Sequence, residues 1–300
     1  MNRCLKLQQI DMIRFVNRNQ IDVEKYNYCI EKAIQSRIYA YAWYLDIVAD
    51  NWSVLVLDDY DAVMPLPWKI KYGIKYITQP FFTQQLGFFS AEEISEKEIE
   101  EFIKNIPKKF LKISLQLNSE NRFLNKKLIK KNNYILTLDK EYSSLYKGFS
   151  KGRKHAVNQG EKQNFSIDDI LFSELLILSK ENYSFNEIRA NEYLKLSKLV
   201  SVLKSKGKAR ILGVKSKNQL IGGAVFLFDY KRIIYLFSAV SSEGKEKNVA
   251  SLLLNSLIKE FSNTARILDF EGSQISGIAT FFKSFGAEKE TYFLLRRPLL

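Results

Sequence analysis

RIIYLFSAVSSEGKEKNVASLLLNSLIKEF, residues 232–261, decides the fold. Arg232 to Val240 reads as a strand, SSEGKEKNVA at 241–250 as a turn, and Asn248 to Phe261 as a helix. Upstream, two helices, Asp168 to Tyr183 and Asn186 to Lys206, precede a strand at Ala209 to Val214. A turn at Lys217 and Asn218 leads into a further strand, Leu220 to Phe228. Downstream come a strand at Arg266 to Phe270, a helix from Ile275 to Phe285 and a last strand near Thr291 to Leu295.

The earlier residues follow the same order. Val23, Tyr26, Ile30 and Ala33 lie at helical spacing within Asp22 to Ser36, and an aromatic-rich helix, Tyr39 to Asp50, follows around Trp43. Ser53 to Leu57, a turn at Asp58 to Tyr60, and a strand through Ala62, Val63 and Met64 toward Pro65 and Pro67 form a hairpin. Ile74 to Gln79 is extended and opens into the Gln/Phe-rich loop Pro80 to Ser90. Ser95 and Glu98 make a capping box for a helix ending near Ile106. A strand at Phe110 to Leu117, a basic helix at Arg122 to Lys131 and a strand at Tyr134 to Leu138 complete this half. The expectation is an α/β (α+β) protein of two tandem domains, 1–145 and 146–300, each a mixed, mainly antiparallel sheet flanked by helices. The repeat lies in the succession of elements, not in shared letters. The basic segment Lys147 to Lys162 is the expected crossing point.

Composition agrees with two packed domains: 46% of the 300 residues are hydrophobic and 13% aromatic. Cys4 and Cys29 are too few for a disulfide framework and read as reduced thiols in a cytoplasm. Charges at Arg3, Lys6, Asp11, Arg14 and Arg18 exclude a secretory signal. Tyr76 to Ala91, the longest uncharged run, carries Pro80 and several Gln and Thr, which excludes a transmembrane helix. Net charge is +13, and residues 146–300 hold 25 Lys/Arg against 15 Asp/Glu. That field favours an anionic partner, whether a nucleotide-containing donor, transfer RNA or an anionic membrane surface.

The element order resembles that of the GNAT acyltransferase superfamily. In that family the strand at 232–240 runs into a Q/R-x-x-G-x-G/A turn that holds a cofactor pyrophosphate; here Lys245 stands for Gln/Arg, Asn248 for the first Gly and Ala250 for the last position. Asn is the non-glycine residue best suited to a left-handed conformation. The family's A-x-x-L-Y-x-K-x-G-F stretch is matched by Ala279 to Ala287, with Phe282 at the position of its acid tyrosine. YKGFSKGRKHAVNQG (146–160), DFEGS (269–273) and FFKSFGA (281–287) are more similar to the FemABX and FemAB-like, double-GNAT branch. That branch lacks the tyrosine and carries a lysine in its F-K-x-x-F-G stretch, here Lys283. The resemblance implies acyl transfer to an amine.

N-acyl transfer needs a neutral amine, a polarised carbonyl and charge stabilisation for the oxyanion. Glu271 at the strand end is the candidate base, with Asp269 sharing the task or lying buried in an ion pair. Lys283 is the candidate for stabilising charge on the leaving group or intermediate. Ser238, Ala239, Val240, Lys245, Lys247, Asn248, Val249 and Ala250 are the candidate donor-binding residues. Lys147, Lys151, Arg153, Lys154 and Lys162, interleaved with Tyr146 and Phe149, suit phosphate or RNA contact or a solvated helix face. His155, the single histidine, reads as a surface or RNA-facing residue, and no zinc or calcium spacing occurs. Pro65, Pro67, Trp68 and QPFFTQQLGFF (79–89) read as core packing or as the lining of an acceptor cleft.

The functional expectation is an N-acyltransferase using acyl-CoA (acetyl-CoA-like) by direct attack, with a small-molecule, lipid or peptide amine as acceptor. Aminoacyl-tRNA-dependent transfer to a peptidoglycan-type amine is the alternative, and a non-catalytic RNA-binding or scaffold module is the third. Peripheral contact with an anionic membrane stays open.

Overall fold

The computed structural model describes residues 12–93, 95–121, 128–182, 190–272 and 274–298. Its contacts divide into one unit of Met1–Lys131 with Tyr292–Leu300 and a second of Asn132–Thr291.

In the first unit β1 (Ile13–Asn17) is followed by α1 (Val23–Lys32), which Asp22 caps by accepting from Lys25 N. After α2 (Ala42–Val48), β2 (Asn51–Leu57) and β3 (Ala62–Lys71) pair antiparallel across a reversal with Asp58 and Tyr60 at positive φ. Tyr72 and Gly73, both left-handed, turn β3 back into β4 (Ile74–Thr78), the geometry that matches strand twist in a tight hairpin. β5 (Phe89–Ser90) pairs β3; the Ser95–Glu98 capping box starts α3 (Glu96–Lys104), as the sequence indicates. β6 (Phe110–Leu117) then pairs parallel with β4. Tyr26 and Tyr44 are fully buried here, and Phe88 meets Phe102 edge-on at 4.4 Å; Tyr41 and Trp43 stay half-buried.

The second unit begins in β7 (Leu128–Thr137) and continues through α4 (Tyr142–Lys147) and α5 (Lys151–Glu161). β8 (Asp168–Asp169), α6 (Phe172–Asn182) and α7 (Ala190–Ser205) lead to β9 (Ala209–Ser216), β10 (Gln219–Phe228) and β11 (Arg232–Val240). α8 (Ser242–Glu246), α9 (Val249–Phe261), β12 (Ile267–Asp269), α10 (Ser276–Lys283) and β13 (Glu288–Arg297) follow, the residues of β13 from Tyr292 onward belonging to the first unit. β9, β10 and β11 are antiparallel neighbours and β12 is parallel to β11. This reproduces β2, β3, β4 and the parallel β6, with α9 in the place of α3. α9 faces inward with Val249, Leu252, Leu253, Leu254, Leu257 and Ile258 against Phe226, Ile233 and Phe285; each such burial contributes about 1.5–3 kcal/mol.

The two repeats exchange their last strands. The antiparallel neighbour of β6 is β13, at the end of the chain, and that of β12 is β7, which follows β6 in sequence. Tyr134, Leu136 and Leu138 therefore join the second core, where the sequence reading had closed the first half with them. The unit division accordingly falls at 131/132 and 291/292, against 145/146 from sequence, and Lys147 to Lys162 forms part of α4 and α5 inside the second unit.

Of the basic helix expected at Arg122 to Lys131, residues 122–127 lie outside the described residues, and 128–131 are strand. Pairing of β7 with β13 and β12, both far along the chain, overrides the local pattern. Asp168 opens a short strand rather than a helix, its backbone pairing with Gly213. No helix among the described residues is long and apolar enough to cross a membrane.

Candidate functional site

β11 keeps its ladder to β10 as far as Val240, but its ladder to β12 stops at Ile234 opposite Asp269. Within β11 Tyr235 pairs with Phe226 and Phe237 with Val225, so Leu236 is an extra residue in the strand, a bulge. The bulge resets the two-residue alternation: Tyr235, Ser238 and Val240 turn to one side. Past this point the strands part, and a cavity of about 560 Å³ lies where they separate.

The turn that leaves β11 forms one wall. Ser241 caps α8, accepting from Gly244 N at 3.1 Å and donating to Ile221 O at 3.1 Å. A Cβ on Gly244 would stand 2.1 Å from Ile221 O, so only glycine lets the turn sit this close to β10. Asn248 adopts φ 58° and ψ 31°, the left-handed conformation that the sequence suggested, and starts α9. Lys245, Asn248, Ala250 and Ser251 line the cavity on this side. Ile278, Phe281 and Phe282 of α10 line the other, and Tyr235 meets Phe282 edge-on at 6.1 Å.

Arg153, in the first turn of α5, completes the wall. Its Nε donates to Ser284 Oγ at 2.9 Å and its Nη1 donates to Ser251 Oγ. The guanidinium lies 4.2 Å from the Phe281 ring centroid and 4.6 Å from that of Phe285. Burial pushes its pKa down to about 10. No Asp or Glu lines the cavity among the described residues.

The cavity thus brings together Ser238, Val240, Lys245, Asn248 and Ala250 of the donor-binding candidates. Ala239 and Val249 are fully buried in the core and offer only backbone. Lys247 is not among the lining residues; it forms a 2.6 Å ion pair with Glu243, whose pKa it lowers through that hydrogen bond. Glu271, Asp269 and Lys283 also lie outside the lining. Asp269 is buried, accepting from Arg232 Nη1 at 2.7 Å and from Asn133 Nδ2 at 2.8 Å. It also accepts from the Glu271 backbone N–H at 3.2 Å, holding a residue whose φ is 49°. A Cβ at neighbouring Gly272 would lie 3.7 Å from Ile278 and 3.9 Å from Phe282, so this strained corner abuts the cavity wall. Lys283 is exposed, its ammonium 5.1 Å from the Tyr134 ring centroid.

Phe149 is buried against Phe285, not presented for stacking, while His155 is exposed. Tyr235 escaped the sequence reading because the bulge that turns it beside Ser238 leaves no mark in the alternation. Arg153 stood only within a basic run; its singularity comes from Ser251 and Ser284, which lie 98 and 131 positions away.

No protein-family model and no curated protein matches the chain. Among solved structures, FemX superposes with TM-score 0.64 at 12% identity, over 93% of this chain and 96% of that one. A tandem GNAT protein from the clavulanic acid biosynthesis pathway does so with TM-score 0.53 at 11% identity, over 96% and 99%. L-PGS from Bacillus licheniformis gives TM-score 0.51 at 15% identity, over 82% and 84%. With its two like units, parted β11 and β12, and left-handed turn before α9, the chain has the tandem GNAT-like fold of the FemX type.

Proposed function

We propose that the protein is an N-acyltransferase that takes an acyl-CoA into the cavity of its second unit and passes the acyl group to an amine by direct attack. One observation carries this reading: the separation of β11 from β12 opens onto the turn at Asn248 and the start of α9 in a single cavity without carboxylates. The first backbone N–H groups of a helix have no intrahelical acceptor and favour phosphate. Lys245 adds positive charge, and Val240, Ile278, Phe281 and Phe282 suit an uncharged arm and acyl chain. The residues present therefore fit such a donor.

The chemistry follows from the groups around the cavity. The amine nitrogen forms a bond to the thioester carbonyl carbon, the carbon–sulfur bond breaks, and the sulfur leaves with the electron pair. Glu271, held at the strained corner by Asp269, receives the amine proton, directly or through water. Tyr235 is the phenol of the cavity and supplies a proton to the departing sulfur, replacing the tyrosine that Phe282 displaces. Backbone N–H groups along β11 beyond Ile234 polarise the carbonyl.

A second reading, aminoacyl transfer from tRNA to a peptidoglycan-type or lipid amine, is favoured by Phe282 followed by the exposed Lys283, which has no carboxylate partner among the described residues. Here Lys283 stabilises charge on the intermediate. Calorimetric titration with CoA, acetyl-CoA, and charged and uncharged tRNA at two salt concentrations separates the readings. Micromolar CoA affinity, weakened by Asn248→Asp, is the expected result. Preference for charged tRNA without CoA binding establishes the second reading, and binding of neither points to a non-catalytic module.

A further inference from the structure

We propose that Arg153 is the oxyanion anchor of the cavity, its guanidinium receiving the phosphoryl or carboxylate group of the ligand. The proposal deepens the acyltransferase reading, on which it rests for the identity of the ligand, by assigning the anionic end to a residue outside the turn at 241–250.

Among the described residues the Arg153 side chain donates two hydrogen bonds, both to neutral hydroxyls, Ser251 Oγ and Ser284 Oγ. Among the described residues no carboxylate pairs with it and no hydrogen bond engages Nη2. The ring faces of Phe281 and Phe285 cover part of the guanidinium and strip water from it. A half-buried cation at a cavity wall without a counter-charge is costly unless an anion completes it.

Its placement sharpens the point. Arg153 belongs to the first turn of α5, which holds Lys151 and Lys154 and no acidic residue. Ser251, its partner, lies in the first turn of α9. Cations are unfavourable at helix N-termini, where the dipole is positive. The guanidinium stands beside two such ends and next to the C-terminus of α10, where Ser284 caps. Guanidinium, helix start and Lys245 share a cavity wall, and the fork geometry of an arginine suits two oxygens of one oxyanion. Burial, which lowers the Arg153 pKa, agrees with a site relieved by binding negative charge.

The test is calorimetric titration of the full chain, wild type and the Arg153→Gln and Arg153→Lys variants, with inorganic pyrophosphate and separately with hexanoate. Saturable binding of either probe, weakened about tenfold or more by Arg153→Gln and less by Arg153→Lys, is expected. Pyrophosphate binding identifies a phosphoryl ligand and hexanoate binding a carboxylate. Thermal melts run alongside; if Arg153→Gln unfolds, Arg153→Lys, which keeps charge and stem but loses the fork, carries the comparison through its own loss of affinity. Equal affinity of wild type and folded variants, or no saturable binding of either probe to wild type, overturns the proposal. CoA binding unaffected by Arg153→Gln overturns this assignment and leaves the acyltransferase reading standing. Probe binding that depends on Arg153, with no CoA or tRNA binding, does the reverse.

Discussion

Arg232 donates to Asp269 Oδ2 at 2.7 Å with the two side chains 6% and 3% exposed, and the same guanidinium donates to Glu290 Oε1 at 2.6 Å. Asn133 Nδ2 closes the cluster by donating to Asp269 and Glu290. This network sits where β11, β12 and β7 still run side by side, just before the sheet opens.

Removing one charge from the cluster leaves its partner buried and uncompensated. Arg232→Met is expected to cost about 3–5 kcal/mol of unfolding free energy. A double change, Arg232→Met with Asp269→Leu, is expected to recover part of that loss. Urea denaturation of the two single variants and the double measures both; a loss in the double equal to the sum of the two single losses would show that the charges do not act together.

Asn248 holds φ 58° at the start of α9. Asn248→Gly keeps that conformation open and should leave stability within about 0.5 kcal/mol. Asn248→Val forces a β-branched residue into the left-handed region and should destabilise by about 1–2 kcal/mol. Thermal melts report stability, and titration with CoA reports the turn: the valine variant is expected to bind weakly while the glycine variant binds as wild type.

Tyr235 faces the cavity beside Phe282. Under the proposed chemistry Tyr235→Phe lowers kcat about a hundredfold or more with KM little changed. The readout is acetyl transfer to a panel of amines. An unchanged kcat would remove Tyr235 from the reaction.

Burial, with Asp61 nearby, pushes the Cys29 thiol up from its ordinary value of 9.0 to about 12. The folded pKa lies above the unfolded one, so the neutral thiol's contribution is fully present below pH 9 and is lost as pH rises toward about 12. The stability gap between wild type and Cys29→Ala is therefore expected to narrow over that interval in denaturant titrations. Alkylation of Cys29 at neutral pH should proceed only as fast as the first unit opens.

Features that depend on neighbouring residues were legible in the sequence. The capping box at Ser95 and Glu98, the left-handed Asn248, the strand and helix around it, and the repeated order of elements all arise from interactions a few positions apart. They specify their own geometry whatever lies across the sheet. Lys245, Asn248 and Ala250 on the turn side of the cavity were legible for the same reason; Ser251 beside them was not.

Only the tertiary structure decided which strand pairs with which. β7 carried a basic pattern read in part as a helix and became the partner of β12, because ladder hydrogen bonds and burial of Tyr134 and Leu136 outweigh local propensity. The bulge at Leu236 turned Tyr235 into the cavity, and the close packing of α5 on α9 set Arg153 against Ser251, 98 residues away. Asp269 left the cavity for a buried ion pair with Arg232, a partner 37 positions distant. Sequence alone determined a tandem α/β chain with a left-handed turn before a helix; the tertiary structure determined the cavity's walls, because a wall is made of residues that meet only after distant strands have paired.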